Sequence, residues 1–424
     1  MTWFLLKGLL RDRHRSLFPI IIVTAGVMIT VLIHCWLHGV VGDLTATNAT
    51  LDTGHVKIMT RAYAEIASQL PNDLAIFGVE HLLTDLHQEY PDLDWTPRIK
   101  FGGLLDIPDE SGETRAQGPV FGMGIDLFSP ETQEIQRLNL NNALVQGRLP
   151  QHAGEIVISE QFAQQLGVAP GETATLISAT STGSMAIENF MVVGTLRFGV
   201  EAMDRGAMFA DISDIQYALD VADGAGEILG YFPNLLYQRQ EAAKIASTFN
   251  ARYQNLDDQF AYKMLTLRDQ NGLGAYLDMV NTWIFLYLLG FIVVMSIVLW
   301  NTGLMSGIRR YGEMGIRLAI GEHKVHVYRT LVYEAMLIGV LGSIPGTLLG
   351  LGFAYYLQEQ GIDVSGMMEG GKMLMSTVLR AQITPAAFYI GLVPGLAATT
   401  LGAMMSGAGI FKRQTAQLFK ELES

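Results

Sequence analysis

Four long apolar stretches interrupt an otherwise mixed chain of 424 residues. Each is near or above the ~20 residues that an α-helix needs to cross a hydrocarbon layer of ~30 Å. None of them holds a Lys or Arg in its interior. The pattern therefore predicts four transmembrane helices, at residues 17–37, 281–305, 331–357 and 386–405.

Between the first two apolar stretches the pattern changes to that of a water-soluble fold. Short alternating runs predict strands, and 3.6-residue periodicity predicts helices. The predicted strands are 56–59, 155–158, 174–177, 190–193 and 207–209, and the predicted helices are 79–90, 160–166, 212–219 and 239–253. The fold class is therefore an α-helical membrane protein with four transmembrane helices and a large extracytoplasmic mixed α/β domain, in two lobes, at 38–280 between helices 1 and 2.

The composition agrees with a membrane protein. Half of the residues are apolar, 16% are charged, and the mean hydropathy is +0.27, whereas about a quarter of a typical soluble chain is charged. Cys35 is the single cysteine, which excludes a disulfide scaffold. The net charge of −13 argues against a nucleic-acid partner.

The charges are distributed unevenly, and this predicts an orientation. Residues 39–276 hold 14 basic and 31 acidic groups, a balance of −17, whereas the short segments beside the apolar stretches are basic. Because short basic loops stay in the cytoplasm, we expect a multi-pass protein with both termini inside. The cytoplasmic segments are then the amphipathic, basic 1–16, the connection 306–330 and the tail 406–424, and the outer segments are 38–280 and the loop 358–385.

The connection after the second apolar stretch contains the run Arg309-Arg310-Tyr311-Gly312-Glu313-Met314-Gly315-Ile316-Arg317-Leu318-Ala319-Ile320-Gly321. Composition alone predicts an interfacial helix whose cations meet anionic lipid headgroups. The order of the residues, however, closely resembles the signature of MacB/LolC/LolE/FtsX-type permeases of ABC transporters. The resemblance continues through Leu331-Val332-Tyr333-Glu334-Ala335 into a glycine-rich third stretch.

This resemblance implies that the connection is a coupling helix, which lies on the membrane and docks into a separate ATPase subunit. Its cations and carboxylate can pair with the partner, while its apolar residues supply a contact. The ATPase-coupling interface is expected to consist of Arg309, Arg310, Glu313, Met314, Gly315, Arg317, Ala319 and Gly321.

The resemblance also implies an assembly in the bacterial inner membrane. The chain itself is expected to be non-catalytic and without cofactor, and ATP and Mg are bound by two copies of the partner ATPase. A second permease copy or paralogue, membrane lipids, and an amphiphilic cargo or periplasmic adaptor complete the set of partners. The implied function couples ATP hydrolysis to motion of the extracytoplasmic domain, which releases or exports lipoproteins or other amphiphilic cargo. The alternative is an FtsX-like signalling permease that regulates a periplasmic cell-wall hydrolase without transport.

Three further patterns carry weaker predictions. Residues 366–372 mimic a phosphate loop, but Met373 stands where Ser or Thr would bind magnesium, so we expect no nucleotide site. His34 and His38 have the spacing of metal ligands on a helix, but two ligands rarely make a site, and we expect none. The glycine stripes fit either packing within the chain or a dimer seam, and they consist of Gly342, Gly346 and Gly350, and of Gly391 and Gly395.

Overall fold

A computed structural model describes residues 13–199, 201–233, 235–253, 258–308, 311–363 and 378–412. The chain divides into two compact units. The helical unit comprises Met1–Gly42, Asp278–Ile362 and Leu379–Ser424, and the α/β unit comprises Asp43–Leu277 and Asp363–Val378.

The elements are numbered along the chain. The helices are α1 (Arg13–Asn48), α2 (Arg61–Glu65), α3 (Val79–Glu89), α4 (Glu134–Arg137), α5 (Leu140–Ala143), α6 (Glu160–Leu166), α7 (Glu201–Asp204), α8 (Ile212–Ala218), α9 (Arg239–Tyr253), α10 (Leu273–Ile308), α11 (Tyr311–Ala319), α12 (Lys324–Glu359), α13 (Ala387–Ile390) and α14 (Thr399–Lys412). The strands are β1 (Val56–Thr60), β2 (Ile76–Phe77), β3 (Asp94–Pro108), β4 (Thr114–Ile125), β5 (Leu144–Gly147), β6 (Glu155–Ser159), β7 (Thr173–Ala179), β8 (Met185–Leu196), β9 (Ala207–Asp211), β10 (Gly224–Ala225), β11 (Glu227–Tyr231), β12 (Tyr262–Thr266), β13 (Ile362–Asp363) and β14 (Val378–Leu379).

Among the described residues, four helical stretches are long and apolar enough to cross a membrane, namely Leu17–Thr53, Leu273–Val298, Lys324–Glu359 and Ala387–Met405. Their number agrees with the prediction, but the helices of the first three stretches are longer than the apolar runs. Hydropathy marks the part of a helix that suits lipid, whereas the helix itself continues until a backbone signal ends it. After α1, a π-helical segment at Ala49–Thr53 ends at Gly54, which has a φ of 59°.

The fourth stretch is not a regular α-helix. Between α13 and α14, residues Val393–Ala398 form a π-helical segment with Pro394 in its first turn. Proline lacks a backbone N–H and therefore removes one hydrogen bond from the helix. Such irregular turns are a common cause of local bending in a helix.

Both glycine stripes are used for close contacts inside the helical unit. A Cβ atom built on Gly342 would lie 2.6 Å from Cβ of Val23, and one on Gly346 would lie 2.8 Å from Cβ of Val27. A Cβ on Gly395 would collide with Ser343 Oγ. The small residues thus allow α12 to approach its neighbours closely, which is how helices pack in lipid.

A ten-stranded mixed sheet forms the centre of the α/β unit, with the strand order β12-β1-β11-β3-β4-β9-β6-β8-β5, while β7 pairs with β3 and β8. The pairs β4–β9 and β6–β8 are parallel, and the other pairs are antiparallel. The predicted strands and helices of this region are confirmed, including Gly167 as the left-handed residue after α6.

The long β3–β4 hairpin was not predicted as a pair of strands. Its strands contain Pro97, Pro108 and Pro119, together with several glycines, and these residues interrupt the alternating pattern. Only the turn at 108–112 was anticipated from the sequence. The pairing across fifteen residues of β3 therefore becomes visible only in the structure.

The two faces of the sheet carry different side chains. One hydrophobic core joins strand residues such as Ile58 and Ile99 with Leu86 of α3, Phe162 of α6 and Phe249 of α9. A second core joins strand residues on the opposite face, and its members include Met123, Val157 and Phe209. Because side chains alternate along a strand, Lys57 and Met59 lie on the face opposite to Ile58.

Candidate functional site

The predicted coupling segment contains a short helix, α11. Of the expected interface residues, Arg309 and Arg310 lie outside the described residues. Glu313 and Met314 belong to the backbone of α11. The remaining members, Gly315, Arg317, Ala319 and Gly321, fall into a buried and an exposed group.

The buried side of α11 attaches it to the neighbouring helices. Leu318 packs against a small cluster formed by Val327 and Leu331 of α12 and Ala403 of α14. Gly315 is buried as well, and it lies three residues before Leu318, on the same helical face. This contact connects the position of α11 to that of α12.

The other side of α11 is exposed and combines a cation with apolar groups. Arg317 and Ala319 are exposed, Ile316 is 48% exposed, and Ile320, just after the helix, is 82% exposed. Two exposed isoleucines beside an arginine form a small amphipathic surface. Such a surface suits either a protein groove or a lipid interface.

A tight turn connects this surface to α12. The Gly321 N–H donates to the carbonyl oxygen of Leu318 at 3.1 Å, and the Glu322 N–H donates to that of Arg317 at 3.0 Å. Gly321 has a φ of 98°, which side chains other than glycine rarely adopt. His323 then caps α12, since its Nδ1 accepts from the Val325 N–H at 3.4 Å. Gly321 is therefore required by the turn, whatever partner the segment has.

Of the two other sequence patterns, the structure describes the histidine pair. His34 Nε2 lies 2.7 Å from Thr384 Oγ1, and His38 Nδ1 donates to the carbonyl oxygen of His34 at 3.0 Å. Among the described residues, no group of three His, Cys, Asp or Glu side chains is placed to hold a metal ion. The phosphate-loop mimic at 366–372 lies outside the described residues.

The sequence did not predict a buried ionic network in the α/β unit. Arg98 Nε donates to Glu134 Oε2 at 2.8 Å, and both side chains are almost fully buried. Lys57 Nζ lies 2.9 Å from Glu227 Oε2, and Lys100 Nζ lies 3.0 Å from the same oxygen. Arg98 and Lys100 lie two residues apart in β3, so their side chains are on the same face of the sheet. This spacing was the sequence signal available for the network.

For Arg98 and Lys100 charge pairing outweighs the effect of burial, whereas burial holds the pKa of Lys57 below its usual value. Burial alone would lower the pKa of Arg98, but the Glu134 carboxylate raises that pKa above its usual value. Burial would likewise lower the pKa of Lys100, and here Glu227 and Asp52 raise it. Both cations therefore stay charged inside the fold, since partners satisfy them.

Comparisons with known proteins agree with the resemblance seen in the sequence. Residues 285–415 match the family model described as FtsX-like permease C-terminal. The lipoprotein-releasing system transmembrane protein LolC of Haemophilus influenzae is 22% identical over 236 residues, which cover 54% of this chain and 56% of LolC. The macrolide export ATP-binding/permease protein MacB 1/2 of Paracoccus denitrificans is 28% identical over 116 residues, which cover 27% of this chain and 17% of that protein.

One solved structure also has a partial likeness to this chain. The periplasmic region of MacB from Actinobacillus actinomycetemcomitans has a TM-score of 0.36 and 12% sequence identity, covering 55% of this chain and 95% of that chain. The sequence matches span about half the length of LolC and less than a fifth of MacB 1/2. The family match at 285–415 includes the run 309–321 that carries the resemblance. This chain therefore carries an FtsX-like permease domain and is homologous to LolC and MacB.

Proposed function

We propose that this chain is the permease subunit of an ABC transporter, in which separate ATPase subunits drive motion of the α/β unit. This motion releases or exports lipoproteins or other amphiphilic cargo. The chain itself is non-catalytic, and ATP and Mg act in two ATPase partners. The observation that supports the proposal most directly is the exposed amphipathic surface of α11 within the FtsX-like domain.

The packing of α11 provides a physical route for coupling. A partner that binds Ile316, Arg317 and Ile320 contacts the exposed side of α11, while Leu318 on the other side packs against α12. Since packed side chains transmit displacement rather than absorb it, a shift of α11 moves the first turns of α12. In this proposal, α11 is the element on which the ATPase acts.

The charge distribution supports the proposed topology. Because short basic connections stay in the cytoplasm, both termini and residues 306–330 lie on the cytoplasmic side of the bacterial inner membrane. Residues 38–280 then lie on its outer side. A second copy of this chain or a paralogue completes the permease. The cargo or an adaptor then contacts the α/β unit, which is the large outer part of the chain in this topology.

Substituting the exposed residues of α11 tests the ATPase interface. We expect Ile320→Glu combined with Arg317→Glu to lower binding of the co-encoded ATPase at least about tenfold, because an apolar contact and a cation are both lost. The measurement is a pull-down from membranes, together with stimulation of ATP hydrolysis. Ile320 is 82% exposed, so the fold does not depend on its side chain.

Arg329→Glu is the matched control, because this exposed cation lies on α12 rather than on α11. It should leave ATPase binding and membrane insertion unchanged. Undiminished binding and activity in the α11 variant would contradict the coupling role of this helix. Equal loss in both variants would assign the effect to general surface charge.

A further inference from the structure

A cavity of about 480 Å³ opens on the face of the α/β sheet that carries Lys57. Residues of β1, β3, β4, β9 and β11 form one side of it, and Ala49–Thr53 and the α2 region contribute other lining residues. Its volume falls within the roughly 300–1,000 Å³ that small-molecule sites occupy. The cavity is thus large enough for a ligand and lies within a single unit of the chain.

The lining of the cavity includes large apolar side chains. Among them are Met59 of β1, Phe121 and Met123 of β4, Met203 of α7 and Phe209 of β9. Methionine is flexible and polarisable, so three methionines allow the wall to adapt to apolar bodies of different shape. These side chains suit an acyl chain or a similar apolar group.

The lining of the cavity also includes the ionic residues Asp52, Lys57, Lys100 and Glu227. Lys57 and Lys100 both contact Glu227, at 2.9 and 3.0 Å, and Lys100 also forms an ion pair with Asp52. The Lys57 and Glu227 side chains are each 3% exposed, whereas that of Asp52 is 39% exposed. Asp52 is therefore the member of the network that is open to solvent.

The two carboxylates hold their cations in different ways. Glu227 belongs to β11, in the interior of the sheet, and its position is fixed by strand pairing. Asp52 belongs to the π-helical segment outside the sheet, and Asn271 Nδ2 donates to its Oδ2 at 2.8 Å. Burial lowers the pKa of Lys57, whereas Glu227 and Asp52 raise that of Lys100, so Lys100 is the firmly charged cation that Asp52 pairs with from the more exposed side. An incoming anion can replace that exposed partner without leaving a buried charge unpaired.

The ionisation of Asp52 agrees with this arrangement. Burial tends to raise the pKa of Asp52, but the ammonium groups of Lys100 and Lys57 outweigh it and hold that pKa well below its usual range. The lysines thus create a strong local preference for an anion at this position. Asp52 meets this preference when no ligand is bound.

We propose that this cavity binds a small anionic amphiphile. Its carboxylate or phosphate head pairs with Lys100 in place of Asp52, and its apolar body lies against Met59, Met123 and Phe209. The proposal concerns the α/β unit alone and does not depend on coupling to an ATPase. A purely structural ion network is the competing explanation, and it predicts a different response when Asp52 is changed.

Photo-labelling of the full chain in lipid nanodiscs tests the proposal. The probes are diazirine derivatives of octanoate and octyl phosphate, with the matching derivatives of octanol and octylammonium as comparisons, and mass spectrometry locates the label. We expect saturable labelling near Met59, Met123 and Met203 with the two anionic probes. Label confined to the apolar helices, or equal labelling by the neutral and cationic probes, would overturn the proposal.

Two substitutions with opposite effects separate binding from loss of folding. Lys100→Gln should weaken octanoate binding about tenfold, because a charge-assisted hydrogen bond is lost. Asp52→Asn should strengthen it about tenfold, because the competing carboxylate is neutralised. A structural network instead predicts that Asp52→Asn weakens binding or leaves it unchanged, and that result would also overturn the proposal.

Two more variants serve as matched controls. Lys263→Gln removes an exposed cation of β12 that does not line the cavity, and it should leave octanoate binding unchanged. Ala67→Trp fills part of the cavity without altering its charge, and it should abolish labelling while the fold is retained. Persistent labelling near Met123 in Ala67→Trp would place the ligand outside this cavity and refute the assignment.

Discussion

The two units of this protein use different side chains to close their interiors. In the helical unit, glycines of α12 meet valines of α1, so that closeness of the backbones supplies the contact. In the α/β unit, aromatic side chains fill the core and ion pairs are buried among them. The difference follows from the solvent. In water the hydrophobic effect drives apolar side chains into the core, whereas in lipid helices associate mainly through van der Waals packing of closely approaching backbones.

The comparison also shows where each unit is vulnerable. A buried ion pair adds little net stability, but removing one partner leaves an unpaired charge in the interior. A glycine contact between helices involves no charge, and it is destabilised when an added side-chain atom forces the helices apart. Substitutions of matched size in the two units should therefore cause losses of stability that differ in both magnitude and physical cause.

The largest effect should come from breaking the buried ion pair. Glu134→Ala leaves the buried Arg98 without its main partner, so we expect the free energy of unfolding to fall by about 3–5 kcal/mol. Hydrogen exchange of the sheet amides in the full chain measures this loss. Glu201→Ala is the control, because its pair with Arg205 is exposed and should matter by less than about 0.5 kcal/mol. Equal losses would show that burial does not decide the cost.

The second largest effect on stability should depend on pH and come from His55. His55 is fully buried, and burial lowers its pKa from 6.5 to about 4, so the unfolded chain binds a proton more readily than the folded one. Stability of the α/β unit should therefore fall as the pH drops from 6.5 to 4, by about 3 kcal/mol in total. Protection of the Phe232 amide, which donates to His55 Nδ1 at 2.9 Å, reports the change.

His55→Gln is the control for this pH dependence, because glutamine has no group that titrates in the range. The variant should show a flatter dependence of Phe232 protection on pH, after correction for intrinsic exchange. An identical pH dependence in both proteins would assign the acid sensitivity to other groups.

The smallest of the three effects should appear in the helical unit. Gly346→Val places a Cβ 2.8 Å from that of Val27 and forces the helices to separate, at a cost of about 1–3 kcal/mol. Gly352→Val makes the same change on the same helix, but a Cβ there meets no atom within 4 Å in the described structure. Thermal unfolding in nanodiscs should therefore separate the two variants. Equal midpoints would show that the glycine contact is not tight.

Local signals account for what the sequence predicted correctly. The helix at Arg239–Tyr253 has clear amphipathic periodicity, and Gly167 marks the end of α6. The order of residues 309–321 likewise identified the segment that contains α11. The ionic network could not be found in this way, since Lys57, Lys100 and Glu227 meet only through the register of three strands. The cavity beside them also depends on this register.

The position of β1 has a consequence for the order of synthesis. This strand is made before any other strand of the described sheet, yet both of its neighbours, β11 and β12, come at residues 227–231 and 262–266. Until the ribosome has passed Thr266, β1 cannot complete its hydrogen bonds, and Lys57 has no Glu227 to meet. We therefore expect this part of the sheet to assemble late and as a whole, because contacts so distant in sequence form slowly. A nascent chain stopped before β11 should remain open to proteases at its first strand.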